Sequence, residues 1–147
     1  MNNELTIQKT ELSDLHAVLD LYAQLDNEEI LDLESGARIF KKIRSYPDYS
    51  VYVAKMNGRI IGAFELLIMD NLAHRGTPSG IIEDVLVDEN FRSKGIGRKM
   101  MEYAMDRCRE KGCYKLVLSS NLRRDRAHRF YESLGFKKHG YSFLIEL

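Results

Sequence analysis

Between an apolar run that ends at Val87 and an amphipathic pattern that starts near Arg98, the chain reads Arg92-Ser93-Lys94-Gly95-Ile96-Gly97. Two glycines one residue apart let the backbone turn tightly with no Cβ in the way, so successive N–H groups can converge on one point. That point lies at a helix N-terminus, where unpaired N–H groups and the helix dipole favour an anion such as phosphate or pyrophosphate. Arg92 and Lys94 add positive charge at the rim. A short glycine motif also occurs in ordinary loops, so its neighbours decide its meaning.

The run before it, Ile81-Ile82-Glu83-Asp84-Val85-Leu86-Val87, reads as a central strand buried on both faces and interrupted by two carboxylates. Strand alternation groups Glu83 with Ile81, Val85 and Val87, and Asp84 with Ile82 and Leu86, so the pair is expected on opposite faces. A buried carboxylate is costly without a partner, so at least one should face a cavity, water or a cation. The plainer alternative is a strand-end salt bridge or cap. A carboxyl lifted by apolar surroundings moves toward the range useful for a general base, and Glu83 is the first candidate. Asp84 is the second, or a counter-ion for a cationic group. His74, in the polar loop 70–80, is a third titratable group, and a lone loop histidine is more often simply solvated.

These residues need a scaffold, and 147 residues are enough for one domain with a real core. Lys plus Arg and Asp plus Glu both number 22, so no overall basic field recruits nucleic acid or an acidic membrane, and an anion must be bound locally. The start, M-N-N-E-L-T, has no basic and apolar leader, and no apolar run approaches a membrane span, so the expected location is cytoplasmic. Cys108 and Cys113 suit reduced, half-buried thiols. His16, His74, His128 and His139 show no metal-ligand spacing, so no metal is expected.

Leu5 and Ile7 alternate as a short strand, and Ser13 or Asp14 then caps a helical set of Leu15, Val18, Leu19, Tyr22 and Leu25. The acidic stretch Asp26 to Asp32 is a solvated linker or the lining of a cationic pocket. A helix is predicted over Leu33 to Arg44, and Asn57-Gly58 joins two strands, from Val51 and from Ile60 to Met69, as a hairpin. After the glycine turn, a helix carries Met100, Met101, Ala104, Met105 and Cys108 on one side and ends at Gly112. A strand over Cys113 to Ser119 completes a βαβ crossover whose strands run parallel. A basic loop from Asn121 to Asp125 leads into a helix with Ala127, Phe130, Tyr131 and Leu134, and residues 136–139 and 141–147 read as two closing strands. The expected architecture is one α/β domain spanning 1–147: a mixed, twisted sheet of six or seven strands with helices on both faces.

With these elements laid out, the C-terminal half resembles the GNAT superfamily of acyl-CoA-dependent N-acyltransferases. Arg92 to Gly97 is similar to its Q/R-x-x-G-x-G/A loop, with Val85-Leu86-Val87-Asp88 before it and the helix after it. Ala127 to Phe136, A-H-R-F-Y-E-S-L-G-F, is similar to a second signature in which a tyrosine precedes an L-G-F turn. G-I-I-E-D-V-L-V and G-C-Y-K-L-V-L also resemble the glucosamine-6-phosphate N-acetyltransferases within that superfamily, although the segment between the Cys113 strand and Tyr131 is a few residues longer here.

The resemblance implies an enzyme that moves an acetyl group from acetyl-CoA to a primary amine, on a sheet that splays beside Val87. It implies that main-chain N–H groups from Arg92 through Ser93, Lys94, Gly95, Ile96 and Gly97 to Arg98 take the CoA pyrophosphate. By the same resemblance, the main chain of Val85, Leu86 and Val87 pairs with the pantetheine arm and polarises the thioester carbonyl, Asn121 lies near the cofactor tail, and Tyr131 is the general acid. Simple packing is the plainer role for Tyr131. An alkylamine of pKa about 10.4 is neutral in about one molecule in 2,500 at pH 7, a handicap of about 5 kcal/mol, so a base such as Glu83 must help. Neither cysteine lies in a motif position to carry an acyl group, which points to direct attack in a ternary complex. The acceptor is expected to be a small amine, with an amino sugar or a peptide amine as alternatives and an acyl-CoA-binding regulatory module as the rival class. Phe143 to Leu147 would either pair across a homodimer interface or be covered within the monomer.

Overall fold

In the computed structural model, strands β1 (Leu5–Lys9), β2 (Tyr49–Met56), β3 (Arg59–Met69), β4 (Ser79–Val87) and β5 (Leu116–Leu118) lie side by side in sequence order. The structure describes residues 4–25 and 27–147; residues 1–3 and Asp26, the first of the acidic stretch, lie outside the described residues. The first four strands pair antiparallel. Tyr114 N–H donates to the Pro78 carbonyl and Gly80 N–H to the Lys115 carbonyl, so the chain leading into β5 advances with β4, as the crossover requires.

The helices are α1 (Leu15–Tyr22), α2 (Leu33–Arg44), α3 (Ile96–Glu110) and α4 (Asp125–Ser133). Residues up to Val117 form one compact unit, with α1 to α3, and residues from Leu118 form a second, with α4. In the first unit the sheet is covered on both faces. Val18 and Leu21 of α1 pack with Val51, Val53, Ala63 and Leu86 on one face. On the other, Tyr52 stacks on Phe64 and meets Tyr103 of α3 edge-on, while Met100, Met101 and Ala104 of α3 are fully buried.

The hairpin turns at Asn57-Gly58 as predicted, and α2 covers Leu33–Arg44, capped by the Asp32 carboxylate on Ser35 N–H at 2.9 Å. Asp14 has a different job from the expected cap. Its carboxylate accepts from Glu11 N–H at 3.0 Å and meets the Lys55 ammonium at 2.7 Å, tying α1 to β2.

The sheet has five strands among the described residues, not six or seven. Residues 136–139 and 141–147 carry no strand, because apolar alternation makes a strand only where a partner ladder accepts it. Tyr141, Phe143 and Leu144 stand open to solvent. The strand expected over Cys113 to Ser119 shrinks to Leu116–Leu118, since Cys113 N–H is spent on the Cys108 carbonyl at the end of α3.

Candidate active site

A single extra residue in β4 shapes the site. Ala63 of β3 stands opposite Leu86 and Glu65 opposite Glu83, so two steps on β3 match three on β4. The surplus is a β-bulge at Asp84, whose φ is +48°, a left-handed conformation unusual for a side-chain-bearing residue. The bulge reverses the alternation. Before it Ile82 pairs with Leu66 on the α3 side; after it Leu86 pairs with Ala63 on the α1 side.

The expected separation of Glu83 and Asp84 is thereby overturned. Glu83 lies across from Glu65 on the α1 side, and Asp84 comes within hydrogen-bonding reach of Glu65. Three carboxylates thus gather on one face, with Glu83 and Asp84 exposed and Glu65 half-buried. Burial and the Asp84 charge push the Glu83 carboxyl above its ordinary range. Burial also raises Glu65, and although the Tyr49 hydroxyl bonded to its Oε2 pulls it back, the charges of Asp84 and Glu83 add to the rise.

Sequence reasoning missed Glu65, Tyr49 and Tyr22. Tyr49 shares its strand face with Val51, which stands opposite Glu65. Burial raises the Tyr49 phenol, and its bond to Glu65 raises it further. Tyr22 of α1 has its hydroxyl buried with no hydrogen-bond partner, and burial followed by the Glu65 and Asp84 charges raises it. The available signal was Glu65 itself, a lone carboxylate in the apolar run Gly62 to Ile68, the same anomaly that drew attention to Glu83.

Val85 and Val87 are half-buried and Leu86 is buried, with Asp88 ending the strand. Asp88 N–H donates to the Ile61 carbonyl and its carboxylate accepts from Asn90 N–H at 2.9 Å, which turns the chain toward α3. Through the glycine motif Ser93 has φ +62° and Gly95 φ +79°. Ile96, 2% exposed, anchors the first turn of α3, half-buried Gly97 follows, and the first helical bond runs from Lys99 N–H to the Gly95 carbonyl. The N–H groups of Ile96, Gly97 and Arg98 precede that bond, and the N-cap residue, Gly95, has no side chain to cap them.

A Cβ built on Gly95 would meet nothing within 4 Å, so there is open space beside those donors. This is the fit expected of a pyrophosphate cradle. The rim cations are tethered: Arg92 Nε donates to the Val87 carbonyl at 3.1 Å, and Lys94 Nζ donates to the Asn90 carbonyl and lies 5.0 Å from the Phe91 ring centre. Arg98 reaches Glu102 at 3.9 Å.

In the second unit, Tyr131 is half-buried on α4, its ring 5.2 Å from Phe130 and 5.8 Å from Phe136. Burial raises its phenol, against the pull of the Arg124 charge, so it carries its proton at neutral pH. Asn121 accepts from Arg123 N–H through Oδ1 at 2.9 Å, and its carbonyl meets His128 Nε2 at 2.8 Å. In the first unit the His74 ring packs tilted against Tyr114, with ring centres 4.6 Å apart. The Cys108 thiol is pushed up to about 12 by burial and by its neighbour Cys113, which makes it a poor nucleophile.

The family model for the GNAT acetyltransferases matches residues 15–136, running through both compact units. Glucosamine 6-phosphate N-acetyltransferase of Arabidopsis thaliana is 34% identical over 133 residues, 88% of this chain and 87% of the relative. The enzyme of the same name from Trypanosoma brucei brucei is 31% identical, over 98% of this chain and 97% of its own. A crystal structure of the Arabidopsis thaliana enzyme superposes with a TM-score of 0.87 at 31% identity, covering 97% of this chain and 98% of that one. A family model matched over most of the chain and relatives aligned over nearly their whole length agree: the chain belongs to the GNAT family, as an acetyl-CoA-dependent N-acetyltransferase that acts on an amine.

Proposed function

We propose that this protein acetylates the primary amine of an amino sugar by direct attack in a ternary complex with acetyl-CoA. The observation that carries the reading is the bulge at Asp84, which turns two consecutive carboxylates to the face that holds Glu65. A patch of carboxylates attracts an ammonium group and then competes for its proton. The names of the two relatives, matched over most of both chains, support glucosamine 6-phosphate as the acceptor.

Acetyl-CoA supplies the activated acetyl group as a thioester. The N–H groups from Arg92 to Arg98 hold its pyrophosphate, with Arg92 and Lys94 giving charge at the rim and Asn121 lying near the tail. The main chain of Val85, Leu86 and Val87 takes the extended arm, and an N–H there polarises the acyl carbonyl without any side chain. Glu83 removes the amine proton through a water molecule, and Asp84 is the counter-ion. Tyr131 holds the proton that the departing sulfur needs. The raised thiol of Cys108 supports attack without an acyl-cysteine. Phe143, 93% exposed, and its neighbours up to Leu147 are the segment we assign to a homodimer contact.

A thiol-release assay with acetyl-CoA tests this against glucosamine 6-phosphate, glucosamine, a linear diamine and a peptide amine. The phosphorylated amino sugar should give the highest kcat/KM. Preference for another amine overturns the acceptor, and tight acetyl-CoA binding with no turnover on any amine points to a regulatory module.

A further inference from the structure

Glu65 is the one carboxylate of the cluster to which the mechanism above gives no task. It sits in the middle of β3, directly across the ladder from Glu83, with apolar neighbours on both sides in sequence. Among the described residues, the groups that act on it are the phenol of Tyr49 from β2 and the carboxylates of Glu83 and Asp84 from β4, and its own charge acts on Tyr22 of α1. Tyr49 donates to Oε2, and Asp84 stands within hydrogen-bonding reach.

Ionised carboxylates gathered on one face repel, so a proton delivered to the cluster is held more firmly than a lone carboxylate would hold it. The proton rests on the member that water serves least. Glu65 is half-buried, whereas Glu83 and Asp84 are exposed. The buried Tyr22 hydroxyl without a partner adds an independent sign that the network is completed by a further polar group, a bound water or the acceptor itself.

We propose that Glu65 holds the proton removed from the acceptor: a proton taken from the ammonium by Glu83 passes across the ladder to Glu65. This rests on the amine-transfer reading given above. The ammonium N–H bond breaks and the nitrogen keeps the electron pair with which it attacks. An O–H bond forms on a β4 carboxylate and is replaced by one on Glu65, which later releases the proton to water. Moving the proton away restores the β4 carboxylates as anions beside the forming amide. Tyr49 sets how firmly Glu65 keeps it.

The test measures kcat/KM against pH for the wild type, Glu65→Gln and Tyr49→Phe, using whichever amine the wild type turns over best. Removing the carboxyl that holds the proton should shift the acid limb of Glu65→Gln to lower pH and lower the plateau at least about tenfold. Removing the bond that pulls Glu65 down should shift the limb of Tyr49→Phe to higher pH. Acetyl-CoA affinity and melting temperature check that both variants are folded. Limbs that stay at the wild-type position, or move in the same direction, overturn the proposal. Carboxyl carbon-13 titration of the wild type and Glu65→Gln without ligands gives a readout free of turnover: the highest-titrating signal of the cluster should vanish in the variant. Its persistence overturns the assignment. Turnover with an unmoved limb removes the role alone, whereas no turnover on any amine removes the role together with the function.

Discussion

Replacing Gly95 with alanine separates the backbone needs of the cradle from its ligand. At φ +79° an L-residue is strained by roughly 1–2 kcal/mol. The added methyl meets nothing within 4 Å, so no steric cost joins that strain, and the melting temperature should fall by roughly 3–8 °C. Binding should suffer more. The methyl occupies the open space beside the N–H groups of Ile96 to Arg98, and each charge-assisted hydrogen bond lost there is worth about 1.5–3 kcal/mol, or roughly 10- to 150-fold in the Kd for acetyl-CoA. Gly112 is the matched control. It closes α3 at φ +73°, again with nothing within 4 Å, so Gly112→Ala carries the same strain at the far end of the same helix. Scanning calorimetry should show similar losses for both variants, and titration calorimetry a weakened Kd in Gly95→Ala only. Equal affinities in the two variants would refute the placement of the anion at the start of α3.

Tyr131→Phe should lower kcat about 100- to 10,000-fold at neutral pH while leaving the Kd for acetyl-CoA unchanged; stopped assays and calorimetry together check this. Lys55→Met leaves the Asp14 carboxylate, 11% exposed, without its cation and should cost about 3 kcal/mol in urea unfolding at pH 7. Burial raises the Asp14 carboxyl, but the Lys55 bond, the Glu11 N–H and the Lys55 charge outweigh it and hold the carboxyl below 3.8. Its stabilisation is therefore present above that value and lost as pH falls through the lower folded-state pKa, so acid unfolding of Lys55→Met should show less of this dependence. Phe143→Glu should shift sedimentation from dimer to monomer; a wild type that sediments as a monomer removes the dimer contact.

Much of the scaffold can be read from residue types. Asn57-Gly58 and the Leu33–Arg44 helix are local signals, a turn dipeptide and a capped amphipathic period, and both appear where expected. The glycine motif is local as well, which is why the helix start at Ile96 could be placed within two residues of Arg98. What escaped depends on pairing between strands. Alternation alone separates Glu83 from Asp84, and only the ladder with β3 reveals the extra residue that reunites them. Glu65 and Tyr49 join the site through the same ladder from strands 18 and 34 positions upstream of Glu83, a relation that no short motif contains. The missing closing strands fail for a like reason. Phe143 and Ile145 have strand-like spacing but no edge in the described residues that claims them.

The bulge also sets a linear charge density. On one face of a regular strand, successive side chains are spaced about 6.6 Å apart, so two carboxylates would spread their charge over that length. Here consecutive residues serve the same face, and Glu65 stands directly across from one of them, so the negative charge is compressed into about half the strand length. A chain with no net charge thereby carries one steep local potential. The acceptor's ammonium group should be held less firmly as salt shortens the reach of that field, while the amide nitrogen of the product carries no charge and feels little hold there.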